Sequence, residues 1–209
     1  LAVDARACRV AGLGLVGPFG GARDVAKGVL RTPVVPRQSF DGDPLRMMRA
    51  VRFVAQLVFR IEPETAEALT DMVDRIEIVS AERVRDELVK MLLSDRPRAG
   101  IEALVDSGLA DIVFPEIPAL QLEIDEHHRH KDVFEHTMIV IDRAVALETG
   151  PDGPVPAPDL AFRLAAPMHD TGKPPTRRFA SGGKVSFHHQ PSVGAKMTRH
   201  RLNALPFHH

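Results

Sequence analysis

The sequence predicts a predominantly all-α protein, on two observations. Apolar residues recur at three- and four-residue steps through most of residues 43–205. Helix-starting and helix-stopping residues stand at the ends of those runs. Residues 1–40 are different: glycines and prolines crowd between Gly12 and Pro36, which predicts a short strand near Leu1 to Val3 followed by irregular loops. The first helix follows Asp43, an N-cap residue type, with Pro44 at a position whose N–H would be unpaired anyway. It carries Leu45, Met48, Val51 and Leu57 and runs to about Phe59. A second opens at Pro63 with Ala66, Leu69, Val73 and Ile76 on one stripe. Ser80 is placed to cap a third, bearing Val84, Leu88, Met91 and Leu92. A fourth spans about Pro97 to Ser107, stopped by Gly108. Further helices are expected from about Val133, over Asp159 to Asp170, and from about Val193, with Gly150 to Pro158 as a linker.

Composition bounds the function. Among 209 residues there are 27 basic and 28 acidic side chains, a net charge of −1. That balance excludes a generally basic nucleic-acid coat protein and an acidic disordered tail. The single cysteine, Cys8, excludes an internal disulfide framework and fits a reducing compartment. No run approaches the ~18 apolar residues of a membrane span. The uncharged stretch Val10 to Ala22 holds five glycines and Pro18, a poor signal-peptide core. A soluble, cytoplasmic chain with no membrane partner is expected. The mean hides an asymmetry: residues 1–126 carry a balance of −5 and residues 127–209 one of +4, and all ten histidines lie in the second part. The change falls at His127-His128-Arg129-His130, taken as a region boundary.

Three stretches could carry chemistry. Gly12-Leu13-Gly14-Leu15-Val16-Gly17 matches the dinucleotide fingerprint, but that motif needs a strand before it and a helix opening at its third glycine. Pro18, Phe19 and two more glycines follow instead, so a glycine-rich turn is the better reading. Asp43 with Arg46, Arg49 and Arg52 forms a ridge at three-residue steps. A carboxylate beside a guanidinium offers an acceptor and a forked pair of donors to a nucleobase edge, and further arginines neutralise phosphates. The alternative is a capped helix with a solvated arginine face. The third stretch is histidine-rich: His136 in one helix, and His169-Asp170 at the end of the next. Two imidazoles and a carboxylate brought from adjacent helices can bind a divalent cation.

The arginine ridge resembles the nucleotide-reading motif of bacterial tRNA nucleotidyltransferases, the CCA-adding enzymes and their poly(A) polymerase relatives. Pro18-Phe19-Gly20-Gly21 with Asp24 is similar to the end of that family's catalytic head, the stretch from Phe53 onward to its neck, and Glu82-Arg83-Val84-Arg85-Asp86-Glu87-Leu88 to one of its helices. The resemblance implies that Asp43 and Arg46 pair with the base of incoming CTP or ATP. Arg49 and Arg52 would support base or phosphate, and Glu82, Arg83 and Glu87 would brace the neck. It implies tRNA, CTP and ATP as partners. His169-Asp170-Thr171-Gly172-Lys173-Pro174 resembles the HD-superfamily phosphohydrolase motif, which implies that His136, His169 and Asp170 hold a divalent metal (Mn²⁺, Ni²⁺, Co²⁺ or Mg²⁺).

The departures are specific. The family holds Mg²⁺ for nucleotidyl transfer with a D-x-D on a strand behind a G-G-x-x-R loop, and that arrangement does not occur in this chain. Gly42 stands where the family has Glu, and Gly17 where it has Asp. The HD pattern takes a further aspartate from a later helix, yet no Asp follows Asp170. Pro167, two residues before His169, is expected to disturb its helix and to displace His169. The chain therefore reads as a fragment: the remnant of an α/β nucleotidyltransferase head over residues 1–40, a helical neck and body over 41–126, and a partial helical HD domain over 127–209. The competing readings are an HD-type metal-dependent phosphohydrolase and a non-catalytic RNA-binding helical module.

Overall fold

The computed structural model describes residues 9–11, 14–16, 19–121, 133–148, 158–180 and 184–207. It is predominantly helical, as the apolar spacing requires. The described residues of the N-terminal segment form more regular structure than their glycine and proline content suggested. β1 (Arg9–Ala11) pairs antiparallel with β2 (Gly14–Val16), so Gly14 of the fingerprint opens the second strand of a hairpin and not a strand-to-helix turn. The expected strand at Leu1 to Val3 lies outside the described residues. α1 (Gly21–Lys27) follows Gly20, whose φ of 70° is left-handed, and closes on Gly28 at φ 62°, where the amide donates to the carbonyls of Asp24 and Val25. β3 (Val29–Leu30) leads to α2 (Pro36–Gly42), a helix absent from the sequence-based expectation. Pro36 stands at the helix start, where its missing N–H costs nothing, and Ser39 and Phe40 are buried beneath it.

α3 (Leu45–Leu57) is the centre of the core. Met47, Met48, Ala50, Val51 and Ala55 are buried at helical spacing. The helix ends at Val58, held at φ 59° with its amide on the Val54 carbonyl, an uncommon conformation for a β-branched residue. Asp43 does not cap it. No side chain does, and the Asp43 carboxylate points elsewhere. β4 (Arg60–Ile61) pairs parallel with β3, Val29 opposite Arg60 and Leu30 opposite Ile61. α4 (Pro63–Asp71) and a 3-10 turn over Val73–Ile78 bury Ala68, Leu69 and Ile76. α5 (Ala81–Leu92) starts after Ser80, which makes no side-chain cap bond.

α6 (Pro97–Asp106) crosses α3 and α5 closely. A Cβ added at Gly100 would lie 2.5 Å from Met91 Cγ and 3.0 Å from Ala55 Cβ, so the absence of a side chain there sets the interhelix distance. Gly108, at φ 79°, stops this run and opens a short further helix, α7 (Leu109–Val113).

In the histidine-rich half, α8 (Val133–Leu147) begins where expected and packs against α9 (Leu160–Met168), whose first turn is capped by Asp159 Oδ1 accepting from the Phe162 amide at 2.7 Å. The boundary at His127 to His130 and most of the expected linker lie outside the described residues. α10 (Lys173–Thr176) leads into a hairpin of β5 (Arg177–Ala180) and β6 (Lys184–Phe187). α11 (Gln190–Ala204) starts three residues earlier than the apolar pattern indicated.

Charged anchors fasten these helices to the preceding ones. Arg163, buried on α9, pairs with the equally buried Glu148 at 2.5 Å and donates to the carbonyls of Leu92 and Ser94 at the end of α5. Those carbonyls lack helical partners, so one guanidinium satisfies a helix terminus and a buried carboxylate together. Arg201 pairs with buried Glu116 at 2.8 Å, and Arg98 of α6 reaches Glu135 and Asp142 on α8. Among the described residues, no buried side-chain polar atom lacks a partner.

Candidate nucleotide-binding ridge and metal centre

The arginine ridge is present on α3, with its members in unequal states. Arg46 donates from Nη1 to the hydroxyl of Ser39 at 2.9 Å and to its carbonyl at 3.2 Å, which ties the helix start to α2. Arg52 is clamped: its Nε lies 2.5 Å from Glu87 Oε2, it bonds Gln56, and its guanidinium covers the Phe53 ring at 4.1 Å. Arg49, between them and half-buried, makes no hydrogen bond or ion pair among the described residues. Asp43 sits in extended backbone between α2 and α3, its carboxylate 3.4 Å from Arg83 of α5. Glu87 thus ties α5 to α3, and Arg83 is the group that orients Asp43. Asp41, two residues before Asp43, is exposed and pairs with Arg75, so this D-x-D spacing lies at a helix junction and not on a strand.

The motif Pro18-Phe19-Gly20-Gly21 with Asp24 has a physical account for its described part. Buried Asp24 accepts from Arg31 Nε at 2.6 Å, and this bond holds Arg31 above the ordinary arginine range. α1 is thereby fixed to the β3 connection, and Gly20 supplies the left-handed turn before it.

The second constellation also converges. His169 Nε2 lies 3.1 Å and His136 Nε2 3.8 Å from Asp170 Oδ2, and one donor atom of each residue falls within 4.8 Å of the others. The His169 Nδ1 is 2.7 Å from the Ala166 carbonyl; that contact places the proton on Nδ1 and leaves the Nε2 lone pair for a ligand. His169 is exposed and His136 half-exposed, so the pair does not face the apolar interior; α9 ends at Met168, and His169 already turns outward at its C-cap. Pro167 sits inside α9 without carrying His169 out of reach of the other two donors. The donor set fits a three-ligand divalent site. One occupant competes for it: Lys173 Nζ is 2.6 Å from the same Asp170 oxygen. Gln190 donates to the His169 carbonyl at 3.0 Å and to Asp170 Oδ1 at 3.4 Å.

Comparison with known proteins decides the family. The model described as "Probable RNA and SrmB- binding site of polymerase A" matches residues 58–120, and the HD domain model matches residues 133–207. An "A-adding tRNA nucleotidyltransferase" of Deinococcus radiodurans is 38% identical over 197 residues, covering 91% of this chain and 43% of the relative. The chain belongs to the tRNA nucleotidyltransferase family. A "Multifunctional CCA protein" of Neisseria gonorrhoeae is 37% identical over 166 residues, covering 78% of this chain and 38% of that protein. A solved complex of a CCA-adding enzyme with ATP aligns at a TM-score of 0.47 and 29% identity over 66% of this chain and 35% of the other. This family member spans less than half the length of the curated relatives it matches. No helix among its described residues is long and apolar enough to cross a membrane.

Sequence reasoning missed the groups that hold the sites in place. Ser39 and Gln190 anchor Arg46 and Asp170 across 7 and 20 residues of chain. Gln190 and the lysine of His-Asp-x-Gly-Lys were both visible, and a lysine three residues after the aspartate is within reach of it.

Proposed function

We propose that this chain is the nucleotide-selecting neck and tRNA-binding body, with an attached HD domain, of a tRNA nucleotidyltransferase that uses CTP and ATP to build the CCA end of tRNA. The domain reading is residues 1–40 for the end of the catalytic head, 41–126 for neck and body, and 127–209 for the HD part. Asp43 and Arg46 read the base edge, and Arg49 and Arg52 support base or phosphate. The observation that carries this reading is Arg49: a half-buried guanidinium on a ridge of three arginines, beside a carboxylate, with no ion pair or hydrogen bond among the described residues. A charged group in that setting suits an anionic ligand. These residues offer base and phosphate contacts. The Mg²⁺ of nucleotidyl transfer needs a carboxylate arrangement that this chain does not contain.

Calorimetric titration of the chain with CTP and ATP tests the reading. Arg49→Ala should weaken binding by at least about one decade, the value of a charge-assisted hydrogen bond. Arg46→Ala should do more damage than Arg83→Ala, because Arg83 acts only by orienting Asp43. Equal affinities across wild type and all three variants would refute it. A second reading rests on the His136, His169 and Asp170 cluster: a divalent-metal site for Mn²⁺, Ni²⁺, Co²⁺ or Mg²⁺, which when loaded would lower the pKa of bound water and polarise a phosphoryl oxygen.

A further inference from the structure

The last part of the chain has an unusual charge pattern. From Thr171 to His209 there are seven Lys and Arg, five His, and no Asp or Glu. Lys173 pairs with Asp170 and Arg201 with Glu116, both acids of earlier elements. The other described Lys and Arg positions lie on the β5–β6 hairpin and on α11, both of which pack against α10. Exposed Lys196, Arg199 and His200 fall at i, i+3 and i+4 and form one ridge of α11. The hairpin runs directly into exposed His188 and His189.

Its strands add aromatic surface to that charge. Arg177 and Phe179 alternate onto one face of β5, and the register sets Phe187 opposite Arg177 and Val185 opposite Phe179. The Arg177 guanidinium lies 4.6 Å from the Phe179 ring centre, and the Lys173 ammonium 5.9 Å from that of Phe187. Phe179 is 66% exposed, although burying it would gain about 1.5–3 kcal/mol. Arg178, also exposed, projects from the opposite face. Cations alternating with an exposed aromatic ring, with no acid nearby in sequence, are the requirements of single-stranded nucleic-acid binding: rings stack bases and cations follow phosphates. A lipid surface would call for a larger apolar wedge than one phenylalanine.

We propose that the β5–β6 hairpin, with Phe179 as stacking platform and Arg178 and the α11 ridge as phosphate contacts, binds a single-stranded RNA segment. It is an RNA surface separate in sequence from the nucleotide-reading α3 ridge, and it rests on the tRNA-handling reading only for the choice of RNA over DNA.

The test is fluorescence anisotropy of the 209-residue chain with a labelled single-stranded RNA of about a dozen nucleotides, the scale of one such surface. Phe179→Ala should weaken binding roughly tenfold and Phe179→Tyr should restore it, since both rings stack. Arg178→Gln should reduce the slope of log affinity against log salt by about 0.7, the loss of one phosphate contact to a single strand. Both positions are exposed, so far-ultraviolet circular dichroism should be unchanged. Arg49→Ala should weaken CTP binding and leave the oligonucleotide affinity unchanged. Failure at the hairpin is thus distinguishable from failure at the neck. Oligonucleotide affinity indifferent to Phe179→Ala overturns the proposal. So does equal competition by polyglutamate, which would assign the patch to acidic proteins. Phe179-dependent binding to phosphatidylserine vesicles without RNA binding would assign it to lipid and equally overturn the proposal.

Discussion

Gly172→Ala should be among the most damaging small substitutions in the protein. A Cβ at that position would lie 2.2 Å from the Gln190 carbonyl oxygen, 2.7 Å from the Gly194 amide nitrogen and 3.1 Å from the Gln190 carbonyl carbon. All three are backbone atoms of the first turns of α11, so no side-chain rotation relieves the overlap. An ordinary carbon–oxygen contact is about 3.3 Å or more, which requires α11 to retreat by about 1 Å. Overpacking usually costs about 1–3 kcal/mol, and a clash with backbone belongs at the upper end. At about 2–4 °C per kcal/mol for a chain of this size, the melting temperature should fall by about 6–12 °C. The bonds from Gln190 to His169 and Asp170 stretch with the same movement, so metal affinity should fall too. Thermal melts followed by circular dichroism provide the assay, with Gly42→Ala as control: that glycine ends α2 and has nothing within 4 Å. A Gly172→Ala melting temperature within about 2 °C of wild type would refute the reasoning.

Three other expectations concern charge. Hydrogen bonds from Arg163, outweighing burial, hold the Glu148 carboxyl below the usual carboxylate range. A depressed folded pKa stabilises the fold above the unfolded value of about 4.3, and that contribution is lost as pH falls through the folded pKa. Glu148→Gln should therefore destabilise at neutral pH, with the gap to wild type narrowing below about pH 4; a gap independent of pH would contradict the assignment. Arg163→Met leaves Glu148 unpaired and the Leu92 and Ser94 carbonyls without their donor, and should cost about 3–5 kcal/mol in denaturant titration, or the anchor is not what joins α9 to α5. Lys173→Ala removes the ammonium beside Asp170 and should raise Mn²⁺ affinity by about tenfold in calorimetry, whereas His136→Ala should lower it; a loss of affinity in Lys173→Ala would mean that the lysine helps to build the site. The 209-residue chain should not incorporate labelled CMP or AMP into tRNA lacking its CCA end, and template-dependent incorporation would overturn the account of its missing carboxylates.

The helices from Leu45 to Asp106, and those at Val133 and Leu160, were legible because each is stabilised by one apolar stripe, and a stripe is a local pattern. The motif residues were legible for a related reason: three arginines three residues apart share a helix face whatever surrounds them. What failed was local punctuation. Ser80 and Asp43 have the chemistry of caps and neither caps: Ser80 makes no side-chain cap bond, and the Asp43 carboxylate goes to Arg83, 40 residues away. α2 was hidden by the prolines and glycines around it, and Phe40 is buried because α3 and α4 lie beside it.

The same division runs through the sites. By itself the sequence determined the residue types: a guanidinium ridge after Asp43, and two imidazoles with a carboxylate in the histidine-rich half. It also determined the family to which they belong. Only the tertiary structure decided their states. Arg52 is committed to Glu87 from another helix, Arg49 is left open, and Asp170 accepts a lysine where a metal would sit. The reason is range: helical periodicity acts between neighbours a turn apart, whereas the partner of a charge is chosen by proximity after the helices have packed.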